Sequence, residues 1–208
     1  MIAVIDYGMG NLASVKKALD YIGEEAVITS DKEVVSNADA VILPGVGAIS
    51  FAMKALEEKG LDIAVKDFVK SGKPFMGICL GMQMLFDESE ETLDGGENVR
   101  GLGIIPGKVL KFPSDKTVQK GLKVPQIGWN SLEDVKGELL KEGDFVYFVH
   151  SYYCCPVNSD DAAAYAEYGI KYCCSIEHGN IYACQFHPEK SGEAGLNILR
   201  KFAGRIDR

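Results

Sequence analysis

One of the six cysteines, Cys79, sits in a setting that suits a nucleophile. Gly77-Ile-Cys-Leu-Gly81 follows the apolar residues Phe75 and Met76. Beyond it Met82, Met84, Leu85 and Phe86 have the spacing of a helix face. This is the order strand, tight turn, helix, with the thiol at the turn. G-x-C-x-G has the shape of the nucleophile elbow G-x-S-x-G, with sulfur in place of oxygen. In so sharp a turn, side chains two before and two after the nucleophile collide, so glycine fits at 77 and 81. The first N–H groups of a helix favour a thiolate beside them. The N–H of Leu80 points where an oxyanion would form. The competing reading is a buried, inert cysteine beside a packing glycine.

A thiol hydrolase also needs an imidazole to carry the proton and a carboxylate to orient that imidazole. Phe186-His-Pro-Glu189 offers both. The apolar run Ile181 to Phe186 predicts a strand that delivers His187 at its end. Pro188 stops that strand, and Glu189 lies two residues on. Only three histidines exist. His178 falls in the turn His178-Gly-Asn180. His150, in Val149-His-Ser-Tyr152, ends another strand-like run and is the alternative base. The acidic run Asp87 to Glu91 follows the elbow; it is either a solvated helix end or the source of a carboxylate for a ligand's ammonium group. Pro44-Gly-Val-Gly47 is either an ordinary connection or a loop that aims a main-chain N–H into a cleft. Near the N-terminus, Gly8-x-Gly10-x-x-Ala13 matches a dinucleotide fingerprint, with Asp31 near the distance of a ribose-binding acid.

The elements that would hold these groups alternate in the first half. Met1–Ile5, Val27–Thr29, Ala40–Leu43 and the run before Cys79 read as buried strands. Asn11–Ile22, Phe51–Lys59 and Leu61–Lys70 have helix spacing. Thr92 to Arg100 reads as loop. The second half is strand-like, over Gly103–Phe112, Val124–Ile127, Asp144–Val149, Ala162–Tyr168, Lys171–Glu177 and Ile181–Phe186. A helix over Gly192–Ala203 closes the chain. The expected fold is therefore α/β: a mostly parallel central sheet flanked by helices, with an antiparallel strand addition.

With 208 residues, the chain suits one domain, 1–208. A net charge of −8 argues against nucleic acid as a partner. No apolar run approaches about 18 residues, and no basic-then-apolar leader is present, so neither a membrane span nor a secretory signal is expected. No pair of cysteines is spaced C-x-x-C, which gives no metal site; the adjacent pairs Cys154-Cys155 and Cys173-Cys174 suit packing in strands. A reducing cytoplasm follows.

At Gly77-Ile-Cys-Leu-Gly-Met-Gln83 and Phe186-His-Pro-Glu-Lys-Ser191 the sequence resembles the class I glutamine amidotransferases. Asp6-Tyr-Gly-Met-Gly-Asn11, Pro44-Gly-Val-Gly47, Ile127-Gly-Trp-Asn130 and Phe148-Val-His-Ser-Tyr-Tyr153 extend the likeness along essentially the whole chain. They point to the histidine-biosynthesis branch, the glutaminase subunits of imidazole glycerol phosphate synthases. One departure is Gln126, where members of that branch commonly carry histidine; it bears on the Gly-Trp-Asn loop and not on the catalytic residues.

The resemblance implies that Cys79 attacks the side-chain amide of glutamine to form a thioester, that His187 moves the proton, and that Glu189 orients His187. It implies an oxyanion hole from the N–H of Leu80 and one from the Val46–Gly47 stretch. Glutamine would be held by Gly47, Gln83, Glu91, Ser151 and Tyr152, with Glu91 nearest its α-amino group. No cofactor is implied. The implied partner is the cyclase subunit, a (β/α)8 barrel, meeting this chain near Gly10, Asn11, Trp129, Tyr147 and Lys190 in a heterodimer. Trp129 and Tyr147 could equally be core aromatics. Three alternatives stay open: an amidotransferase subunit for chorismate-derived products, a noncatalytic nucleotide-binding module using Gly8 to Ala13, and a stand-alone thiol hydrolase acting on γ-glutamyl compounds.

Overall fold

The computed structural model describes residues 1–92, 96–113 and 121–206. Its first half comprises β1 (Ile2–Ile5), α1 (Leu12–Tyr21), β2 (Ala26–Thr29), α2 (Lys32–Asn37), β3 (Ala40–Gly45), α3 (Ile49–Glu58), α4 (Leu61–Lys70), β4 (Phe75–Cys79) and α5 (Leu80–Gln83). Then come β5 (Phe86–Ser89), β6 (Val99–Arg100), β7 (Ile105–Lys111), β8 (Gln126–Ser131), β9 (Phe145–His150), β10 (Tyr152–Pro156), β11 (Ala162–Tyr168), β12 (Ile170–His178) and β13 (Ile181–Cys184). The last helix, here α6, spans Gly192–Ala203.

The main sheet runs β2-β1-β3-β4-β13-β12-β10-β7-β5-β6, with β11 on β12. Its first five strands pair in parallel. From β13 onward the pairing turns antiparallel, apart from β5 with β7. β8 and β9 form a separate antiparallel pair. Successive side chains of a strand point to opposite faces, and here each face has its own core. Ala3, Ile5, Val41 and Leu43 pack with Leu56, Val65 and Phe68 of α3 and α4. Ile2, Val4, Ile42 and Ile78 pack with Leu19 of α1 and Leu199 and Phe202 of α6. Burial on both faces is why these strands read as unbroken apolar runs. Each of the buried Val, Leu, Ile and Phe side chains contributes about 1.5–3 kcal/mol.

Several expectations need correction. The helix expected from the elbow to Phe86 is one turn, because the carbonyls of Met84, Leu85 and Phe86 accept from the backbone of Leu102, Ile104 and Gly103. The acidic run is not a helix end: Phe86–Ser89 is β5, with Phe86 and Ser89 buried. β10 was not anticipated, β8 lies further along than expected, and β13 stops at Cys184, short of Phe186. α2 was also missed; Asp31 caps it, accepting from the N–H of Glu33 at 2.8 Å. That employs the side chain read as a ribose-binding acid. Of the loop read over Thr92 to Arg100, residues 93–95 lie outside the described residues and Val99–Arg100 is β6. The hairpin at His178-Gly-Asn180 is present, joining β12 to β13.

Candidate active site

The parallel strands place their carboxyl ends together, where open α/β sheets bind ligands. The turn after β1, the Pro44–Gly47 stretch whose first two residues end β3, Cys79 at the end of β4 and His187 beyond β13 all emerge there. Cys79 ends β4 opposite Gly45 of β3 and has φ 55°, ψ −108°. Among the described residues, the only other non-glycine with positive φ is Asp134. A conformation of this kind costs on the order of 1–3 kcal/mol and persists only where the surroundings impose it. Here they do. A Cβ on Gly81 would overlap the Leu43 carbonyl, and one on Gly77 would lie 2.9 Å from the Gly81 carbonyl oxygen. The elbow is thus clamped between two strands. Because α5 is a single turn, it brings local N–H groups to the sulfur without a long helix dipole.

A cavity of about 420 Å³ opens over the elbow. Of the residues singled out in the sequence, it is lined by Val46, Gly47, Cys79, Leu80, Gln83, Glu91, His150, Ser151, Tyr152 and His187. A larger cavity, about 550 Å³, lies at the opposite ends of the strands around Lys73, Asn180 and Arg205, with neither thiol nor imidazole in its wall. The smaller one holds the reactive groups.

His187 is fixed through its backbone and its ring. Its N–H donates to Tyr147 O at 2.9 Å, and its Nδ1 meets Glu189 Oε1 at 2.8 Å. Both side chains are almost wholly buried, at 2% and 1% exposure. Asn11 Nδ2 donates to the same carboxylate oxygen at 3.4 Å. The ring's other nitrogen, Nε2, is buried without a hydrogen-bond partner among the described residues. Burial disfavours the imidazolium, but the Cys79 sulfur and the Glu189 carboxylate outweigh it and raise the pKa of His187 to about 10. No hydrogen bond of ordinary geometry joins Nε2 to the sulfur. In ligand-free sites such contacts are often loose and tighten with substrate.

His150 is a poor base. It is buried, its Nδ1 lies 2.8 Å from Tyr152 O, and its Nε2 lies 3.3 Å from the Tyr172 hydroxyl. Burial pushes its pKa down to about 4 against the backbone hydrogen bond, so it stays neutral, with its Nδ1–H given to the Tyr152 carbonyl. Gln126, the departure noted above, is buried and accepts from the Tyr172 hydroxyl at 2.9 Å. It therefore belongs to the packing behind His150.

Glu91 reaches the cavity from the far side of β5. One oxygen accepts from the N–H of Ile49 at 3.0 Å, at the start of α3, where Ala48 gives no side-chain cap. Burial raises the Glu91 pKa, and the Ile49 hydrogen bond opposes the rise. Gln83 lines the same wall, but its Nε2 is already committed to Tyr152 O at 3.2 Å and Gln185 Oε1 at 3.0 Å. Gln185 was missed in the sequence. It is fully buried, and its Nε2 lies 3.6 Å from Cys79 Sγ. Its signal was its place, two residues before His187 on the same chain segment.

The residues expected to face a partner fall into two groups. Trp129 and Tyr147 sit opposite each other on β8 and β9, with ring centroids 6.1 Å apart. Trp129 is 54% exposed, so it is not a core aromatic. Ile127 and Phe145 are exposed on the same pair of strands, and Lys190 Nζ lies 5.9 Å from the Tyr147 ring centroid. Asn11 contacts the Glu189 carboxylate. A Cβ on Gly10 would lie 3.7 Å from Pro44 O.

A thiol, imidazole and carboxylate at the carboxyl ends of an α/β sheet define a class of amide-cleaving enzyme. The family "Glutamine amidotransferase class-I" matches residues 3–205, and the chain belongs to that family. Within it, the chain is 49% identical to the imidazole glycerol phosphate synthase subunit HisH of Caldanaerobacter subterraneus subsp. tengcongensis, over 99% of this chain and 98% of that protein. It is 46% identical to the HisH of Chlorobaculum tepidum, over 98% and 99%. A crystal structure of a glutamine amidotransferase shares the fold at TM-score 0.72 and 21% identity, covering 99% of each chain. PurLQS from Thermotoga maritima does so at TM-score 0.72 and 18%, covering 99% of this chain and 98% of that one.

Proposed function

We propose that the chain is the glutaminase subunit of an imidazole glycerol phosphate synthase: it hydrolyses glutamine to glutamate and hands the ammonia to a cyclase subunit. The observation that carries this is the convergence of Cys79, His187 and Glu91 on one cavity, with Glu189 behind His187, in a chain so similar to HisH proteins.

In this reading the Cys79 sulfur attacks the side-chain amide carbon of glutamine. The oxyanion that forms is met by the N–H of Leu80 and one from Val46 or Gly47. His187, charged and held by Glu189, gives its proton to the leaving nitrogen, and ammonia departs. Water then loses a proton to His187 and attacks the thioester, and glutamate leaves. Glu91 pairs with the substrate's α-ammonium through the oxygen not used by Ile49. Gly47, Gln83, Ser151 and Tyr152 form the remaining wall.

Ammonia must leave without meeting bulk water, which would protonate it and end its nucleophilicity. A closed junction with the cyclase, a (β/α)8 barrel, meets that need. The exposed apolar face of β8 and β9 around Trp129, with Tyr147, Lys190 and the nearby Gly10–Asn11 turn, is the surface we assign to it. The chain is read as one domain, and its free cysteines fit a reducing cytoplasm. The test is glutamine turnover by the chain with and without the cyclase and its ribonucleotide substrate. Turnover should be low alone, rise in the complex and vanish in Cys79→Ala. Equal turnover alone and in complex, or survival of activity in Cys79→Ala, overturns the proposal.

A further inference from the structure

We infer that Gln185 is a catalytic hydrogen-bond donor to the sulfur of Cys79, locked in its donating orientation by Gln83 and the carbonyl of Tyr152. This rests on the reading of Cys79 as the nucleophile.

The orientation follows from one atom that can only accept. Tyr152 O is a backbone carbonyl. The Gln83 atom 3.2 Å from it is therefore the amide nitrogen. That nitrogen also lies 3.0 Å from the Gln185 side chain, so the Gln185 atom facing it is the oxygen. The Gln185 nitrogen is left pointing at Cys79 Sγ, 3.6 Å away. His150 Nδ1, 2.8 Å from the same carbonyl, helps hold that carbonyl in place. Turning either amide over would set like groups against each other in a site where Gln185 is fully buried and Gln83 is 5% exposed.

A buried amide N–H needs an acceptor. A neutral thiol is a weak one, and a thiolate is a strong one. The wall around Cys79 therefore favours the ionised sulfur from one side while His187 accompanies it in the cavity. The same bond acts late in the reaction. When the thioester is cleaved, the acyl C–S bond breaks and its electron pair returns to sulfur, which again becomes an anion. In the thioester itself the sulfur is a poor acceptor. The hydrogen bond thus strengthens as sulfur regains charge, which is when it lowers the barrier.

The test is the pH dependence of Cys79 alkylation by iodoacetamide in the full-length chain, read by peptide mass spectrometry so that the other cysteines do not contribute. In Gln185→Met, which keeps the side chain's length and removes the donor, the midpoint should move up. The change in the ionisation constant should be about tenfold, as for loss of one hydrogen bond to a charged acceptor. The pH profile of kcat/KM for glutamine in the complex should move the same way. Gln83→Leu should give a smaller shift of the same sign, because Gln185 can then turn. The wild-type protein supplies a measurement free of folding effects: the Gln185 side-chain amide protons should shift in NMR spectra across the pH range in which Cys79 ionises. Unchanged midpoints in both variants, or amide protons indifferent to Cys79, refute the role of Gln185. If alkylating Cys79 leaves glutaminase activity intact, it is the proposed function that fails instead.

Discussion

Replacing Glu189 with glutamine tests the proton-carrying arm of the site without changing its shape. The carboxylate is 1% exposed and one oxygen holds His187 Nδ1 at 2.8 Å. Glutamine can still accept from Nδ1–H, so the ring can keep its place. What disappears is the negative charge that, with the sulfur, holds His187 charged against the cost of burial. The new amide nitrogen would also sit where Glu189 Oε2 now lies, buried and without a partner, adding an unsatisfied donor. A hydrogen bond to a charged group contributes about 1.5–3 kcal/mol, which corresponds to roughly a ten- to hundredfold fall in kcat. KM should change little, because Glu189 stands behind His187 and does not line the cavity.

The effect on stability has a definite sign. The pKa of His187 is raised in the folded chain to about 10 from 6.5. Its contribution to stability is therefore fully present below the unfolded value and is lost as pH rises through about 10. Glu189→Gln should lower the stability of the fold most at about pH 6 and progressively less toward pH 10. The assay is glutamine hydrolysis by the complex across pH, beside urea unfolding at matched pH values. A variant within about twofold of wild type, with the same pH dependence of stability, would refute the reasoning.

Gly81→Ala should prevent the elbow from closing, since its Cβ would overlap the Leu43 carbonyl; urea unfolding should show a loss of more than about 3 kcal/mol, or no folded protein. Glu91→Gln should raise KM for glutamine about tenfold or more and spare kcat, because the charge meets the substrate's ammonium group and not the reacting bond; steady-state kinetics decide. Trp129→Ala should leave thermal unfolding of the isolated chain nearly unchanged, given 54% exposure, and weaken binding of the cyclase at least tenfold by calorimetry, as for an aromatic anchor.

The sequence by itself determined the parallel strands β1 to β4, the helices α4 and α6, and the positions of Cys79 and His187; it did not show β13, read as part of the antiparallel addition, pairing in parallel with β4. Strands buried on both faces are written as unbroken apolar runs, and amphipathic helices by their spacing; the Gly-x-Cys-x-Gly turn reports its own steric demands. The same local logic failed after Gln83. There Met84, Leu85 and Phe86 are all buried, and carbonyls that could have continued a helix are taken by the segment from Leu102 to Ile104. No local pattern records that competition.

The choice between His150 and His187 also belonged to the tertiary structure. Both follow strand-like runs, and only the three-dimensional surroundings leave one neutral with its Nδ1–H spent on a backbone carbonyl and the other paired with a buried carboxylate. Trp129 could be placed on the surface only once β9 was seen beside β8. The place of Gln185, two residues before His187, was legible, but its contact with the sulfur was not. An amide becomes a donor to sulfur only when residues 83, 152 and 185, distant along the chain, close around Cys79 and turn its N–H toward the sulfur.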